Sequence, residues 1–135
     1  MTKTPEQRYV ELLTGGSNSP LLTDGYKFSM AQAGAPLRPE TFYLAFRHGD
    51  PLLVPFDFAE VTRLLRPRLA NMSERNFLGT HGYTMSHSME AALQGALVVE
   101  AVPKGTWVAP LEPVLHGSAP SFLASWLEAL TIAFN

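Results

Sequence analysis

The chain contains no cysteine. That excludes a disulfide framework and a thiolate-ligated zinc site, and a reducing compartment is the natural setting. Charge is scarce as well: Asp, Glu, Lys and Arg make up 16% of the 135 residues, and the net charge is −2. Globular domains carry about a quarter charged residues. Chance would explain the deficit, and so would a surface partly covered by another chain or domain; the second is the working expectation. The densest basic cluster, Arg63, Arg66 and Arg68, is too small for a nucleic-acid footprint. No apolar run reaches the ~20 residues of a membrane span. The opening MTKTPEQRYVELL also lacks the apolar core of a secretory signal. A soluble, cytoplasmic protein without nucleic-acid or membrane partners is expected.

Familiar chemical signatures are missing too. There is no Walker or dinucleotide glycine loop, no G-x-S-x-G and no H-E-x-x-H. His81 and His87 have no third ligand nearby in the sequence, so no metal site is expected, and His116 beside Gly117 reads as structural. What the chain does have is apolar substance. Hydrophobic residues make up 46%, enough to build a core for one domain over residues 1–135.

Helix signals are local and legible. Thr4-Pro5-Glu6-Gln7 combines a cap, a first-turn proline and a capping-box glutamine. Gly15-Gly16 should end that helix. A second short helix is expected from Asp24 to Ala33, with Gly34 as its stop. Asp57 should cap a third, carrying Phe58, Val61, Leu64 and Leu65, with Glu60 at the capping-box position and Pro67 ending or kinking it. Two more short helices are expected around Ser73-Glu74 and over Ser86 to Gly95.

Strand signals are equally clear. TFYLAFR, Thr41 to Arg47, alternates, with Phe42, Leu44 and Phe46 on one face. Ala96 to Val102 is rich in β-branched residues, Pro103-Lys104-Gly105 is a turn, and Thr106 to Ala109 and Val114 to His116 are strand-like. Pro120 to Phe134 reads as a helix that is apolar nearly all round, which requires burial on most sides. Its place at the end of the chain suggests that something else packs against it. Few strands with segregated helices predict an α+β fold.

Three ordered blocks carry a resemblance. They are LLTDGYKFSMAQAG, ETFYLAFRHG, and VEAVPKGTWVAPLEPVLHG followed by SFLASWLEALTIAFN. Together they resemble the amino-terminal part of nicotinate phosphoribosyltransferases, type II phosphoribosyltransferases, with a more distant likeness to the nicotinamide enzymes. The resemblance runs from about Leu21 to the end of the chain, with a weaker middle, and implies an N-terminal domain with a small antiparallel sheet and several helices. The C-terminal α/β barrel of the family is lacking, since a barrel needs ~200 residues or more.

The resemblance also implies roles. Tyr26 matches the tyrosine that stacks on the pyridine ring of the base; a flat aromatic face suits a flat heterocycle, while a place in the core is the plainer alternative. Asp24 matches a residue that orients the base or a substrate hydroxyl, or it is only the N-cap beneath Tyr26. Because nicotinate is an anion, the capping role is slightly favoured. Arg47 matches a strand-end arginine that contacts donor phosphate, for which a forked, permanent charge is apt; a surface ion pair is the alternative. His48 stands where many relatives have a second base, so its charge would follow pH. No catalytic residue and no metal ligand is assigned to this chain.

Phosphoribosyl transfer from PRPP requires the leaving pyrophosphate to be stabilised, usually by Mg²⁺. In the family, that machinery and the histidine phosphorylated by ATP lie in the barrel. Mg²⁺ and ATP are thus expected on a barrel-bearing partner polypeptide, in a dimeric or higher assembly, with PRPP and a pyridine base as substrates. The expected function is that of a domain or small subunit completing a site for nicotinate mononucleotide formation in NAD biosynthesis. The alternative is a non-catalytic regulatory or scaffold subunit derived from the same family.

Overall fold

The computed structural model of the chain describes residues 2–47 and 49–131. The first helix, α1 (Pro5–Thr14), starts on a complete capping box: Thr4 accepts from the Gln7 amide, and Gln7 reaches back to the Thr4 amide. It ends at Gly15, whose φ of 65° is left-handed, a conformation that costs glycine little. After α2 (Gly25–Ala33) come β1 (Pro39–Ala45) and the short β2 (Leu52–Leu53). Three helices succeed them: α3 (Phe58–Leu64), α4 (Met72–Thr80) and α5 (His87–Leu93). The chain then forms β3 (Val98–Ala101), β4 (Trp107–Val108), β5 (Pro113–Pro120) and α6 (Ser121–Thr131).

The sheet is antiparallel in the order β1-β5-β3, and β2 pairs with β4 in a separate two-stranded sheet. The α+β expectation holds. Alternation along β1 works as its residues suggest: Leu44 and, just beyond the strand, Phe46 are buried, Phe42 is half-buried, and Thr41 and Tyr43 are exposed. The central strand β5 is longer than the expected Val114 to His116, because it continues through Gly117. A side chain there would lie 2.6 Å from the Val98 carbonyl oxygen and 2.7 Å from Val99 Cγ1. Glycine at that point lets β3 and the Phe42 ring close over the strand.

One face of this sheet is covered by helices. On α6, Phe122, Leu123, Trp126 and Leu127 are buried between the sheet, α5 and α2, so burial of this helix as far as Leu127 comes from within the chain. The expected apolar positions Ile132 and Phe134 lie outside the described residues. The opposite sheet face is open. Tyr43, His116 and Glu100 form one cross-strand row and Thr41, Ser118 and Val98 the next, around a shallow cleft of about 600 Å³. His116 is exposed there, with Nε2 3.2 Å from Glu100.

One cap differs from expectation, and the structure assigns another. At α3, Asp57 accepts from the Glu60 amide, but the Glu60 side chain pairs with Arg63 instead of completing a box. At α4 the cap is Asn71, two residues ahead of Ser73, and Glu74 completes the box with it.

Candidate functional site

Two of the residues singled out by sequence, Asp24 and Tyr26, follow a tethered loop. Gly15 and Gly16, with φ of 65° and 82°, turn the chain out of α1. Asn18 then donates through Nδ2 to the carbonyls of Leu64 (2.7 Å) and Arg66 (2.9 Å), closing off the end of α3. The Ser19 hydroxyl donates to Glu74 at the start of α4. The carbonyl of the buried Pro20 accepts from the Trp126 indole at 2.9 Å, and Thr23 donates to the Trp126 carbonyl at 3.4 Å. These side-chain bonds to α3, α4 and α6 leave the short segment little freedom.

Glu74 is the hub of the second tether. Arg68 donates to both of its oxygens, at 2.6 and 2.9 Å, and it receives the Ser19 hydroxyl and the Asn71 amide as well. The Arg68 contact holds the Glu74 carboxyl far below the usual range, at about 2, against a burial that works to raise it.

The loop delivers α2. Asp24 occupies the N-cap position in an extended conformation, but its side chain makes no capping hydrogen bond. The favoured capping role for Asp24 is therefore not what the structure has. The helix start is held instead by the loop tethers and by the inward packing of Lys27 and Phe28, leaving an exposed carboxylate. Tyr26 is 52% exposed, so it is not a core residue. Lys27 and Phe28 turn inward at 3% and 2% exposure. Phe28 meets Phe122 edge-on at 5.7 Å, and Gln32 accepts from the Thr84 amide at 2.6 Å. The buried Lys27 ammonium pairs with Glu128 of α6 at 2.9 Å and stands 4.7 Å over the centre of the Tyr26 ring.

Arg47 lies exposed just past β1. Topology sets its place relative to Tyr26. The Ser121 amide bonds the Arg38 carbonyl at 2.7 Å, so β1 and α6 start side by side. Leu44 of β1 and Leu127 and Glu128 of α6 line one cleft further along. Helix α2 runs the other way: Lys27 in its first turn meets Glu128, while Pro36, just past its end, accepts from the Phe122 amide at 3.0 Å. Arg47 and Tyr26 thus lie toward the same end of the helix-covered layer. His48 lies outside the described residues.

Two clefts flank α6. One of about 340 Å³ includes Lys27, Arg38, Ser121 and Ser125; the other, about 280 Å³, includes Glu40, Leu44, Thr62 and Glu128. Asp24, Tyr26 and Arg47 line neither. All three are exposed, and exposed side chains can present a ring face and a charge but cannot exclude water by themselves. Among the described residues no three His, Asp or Glu side chains converge on a point that could hold a metal ion. No helix among them is long and apolar enough to cross a membrane.

Sequence reasoning passes over Lys27, Glu128 and Trp126 as parts of motifs without separate roles. A lysine directly after an exposed aromatic, on a helix with an otherwise apolar inner side, is the available signal for Lys27.

No protein-family model matches the chain, and no curated protein matches it. Among solved structures, the chain is similar to the crystal structure of human nicotinic acid phosphoribosyltransferase, with a TM-score of 0.62 and 24% identity. The match covers 84% of this chain and 25% of that one. The chain thus spans about a quarter of that protein's length, and the likeness is one of fold.

Proposed function

We propose that this chain is the base-facing domain of a nicotinate-type phosphoribosyltransferase, a member of the type II family. It would act with a barrel-bearing polypeptide, supplied as a second subunit or as another part of the same protein, in a dimeric or higher assembly. The reaction is transfer of the phosphoribosyl group from PRPP to the ring nitrogen of nicotinate, with pyrophosphate leaving. Mg²⁺ and ATP belong to the barrel side in this reading.

The observation that carries the reading is the presentation of Tyr26: a half-exposed ring on the first turn of a helix that is otherwise pinned to the core. Stacking needs an accessible, oriented aromatic face, and its contribution lies in orientation as much as affinity. The fold likeness over 84% of the chain and the three sequence blocks support the same assignment. Arg47, at the same end, is the candidate contact for donor phosphate. The exposed Asp24 carboxylate, not used in a cap, would orient a substrate hydroxyl more readily than an anionic base.

The test is nicotinate mononucleotide formation by the assembled enzyme. Tyr26→Ala is expected to raise KM for the base about tenfold, the scale of one lost aromatic pair, while Tyr26→Phe stays near the parent. An unchanged KM and turnover in Tyr26→Ala, with normal assembly, would make the domain a scaffold.

A further inference from the structure

Lys27 is buried more deeply than a surface ion pair requires. Its side chain is 3% exposed, whereas that of its partner Glu128 is 56% exposed. An ammonium withdrawn from water needs compensation close at hand. The Glu128 carboxylate supplies it at 2.9 Å, and the Tyr26 ring lies with its centre 4.7 Å from the same nitrogen. Burial works to lower the Lys27 pKa, but the contacts with Tyr26 and Glu128 outweigh it and the pKa is raised.

The geometry is unusual for adjacent positions. Side chains at i and i+1 on a helix point away from each other. For the ring and the ammonium to meet, Tyr26 must be turned back across the start of α2 while the Lys27 stem runs inward along apolar surface. A cation over an aromatic face then favours one ring plane.

We infer that Lys27 is the positioning residue for Tyr26: tied to α6 through Glu128, it fixes the plane of the ring and leaves the far face to a flat heteroaromatic ligand. The assignment of that ligand rests on the function proposed above; the hold of Lys27 on the ring does not.

Tyrosine-ring NMR on the full chain separates the two. The chain has four tyrosines, and Tyr26→Phe identifies the signal of interest. Lys27→Met keeps the stem and removes the charge. It is expected to move the Tyr26 ring signals toward those of free tyrosine while Tyr9, Tyr43 and Tyr83 stay in place. Lys27→Arg should return them, and Glu128→Gln should move them part of the way. Unmoved Tyr26 signals in Lys27→Met overturn the inference; should that variant not fold, unmoved signals in Glu128→Gln do so. In the assembled enzyme, Lys27→Met should raise KM for the pyridine base about 3- to 10-fold, the cost of ordering one side chain on binding. Turnover should stay within about twofold on the same ground, and the Tyr26→Ala/Lys27→Met pair should add nothing to Tyr26→Ala alone. If Tyr26→Ala leaves KM unchanged, the base-stacking function fails while the NMR result still decides the role of Lys27.

Discussion

The indole N–H of Trp126 donates to the carbonyl of Pro20 at 2.9 Å, a bond between residues 106 positions apart. Both partners are fully buried, so water cannot replace either. The bond fastens the loop that leads through Asp24 into the helix of Tyr26 to the helix that carries Glu128. Trp126→Phe keeps an aromatic ring but orphans the Pro20 carbonyl. A loss of about 1–3 kcal/mol is expected from an unsatisfied buried acceptor, read as a lower urea midpoint with an unchanged slope. A midpoint equal to the parent's would show that the bond contributes nothing.

Asn71 and Asp24 both stand at helix N-caps, yet only Asn71 uses its side chain, accepting from the Glu74 amide at 2.9 Å. Asn71→Ala should therefore cost about 1 kcal/mol. Asp24→Ala should change stability by less than about 0.5 kcal/mol, as for an exposed side chain that is not used in a cap. Thermal unfolding of the two variants side by side checks the contrast, and equal losses would contradict it.

Glu74 sets an acid limit. Its carboxyl is held at about 2 in the folded chain against an ordinary 4.5, chiefly by Arg68. Because the folded value is the lower one, the stabilisation is complete above pH 4.5 and is lost as pH falls from there toward 2. The melting temperature should drop steeply across that window in the parent and less steeply in Glu74→Gln, which starts lower at neutral pH. Parallel curves for the two proteins would remove Glu74 as the cause.

The local elements are legible wherever the signal is carried by neighbours in sequence. Thr4 and Gln7 announce α1, and the alternation through Leu44 and Phe46 announces β1 and its buried face, because capping and pleat obey short periods. In the second sheet, Trp107–Val108 falls within the strand-like Thr106 to Ala109, but its partner Leu52–Leu53 is a different matter: two residues carry no readable period, and β2 has no local signal at all. The cap of α4 is ambiguous in the sequence because Ser73 and Asn71 are both able caps. The choice between them falls to Glu74, which is also bound by Arg68 and Ser19.

The same division runs through the candidate site. Residue types and order alone determined that an aromatic, a carboxylate and an arginine stand at the ends of a short helix and a strand, in a pattern similar to one known family. They also determined the α+β class, since alternation and helical spacing are properties of the chain itself. Tertiary structure decided which of those side chains are available. Tyr26 faces outward and Lys27 inward because α2 docks on Phe122 and Glu128. Asp24 is released from capping because distant residues, Trp126 and Glu74 among them, hold the loop before it. Burial and long-range hydrogen bonds depend on what the fold brings alongside, and no local pattern records that.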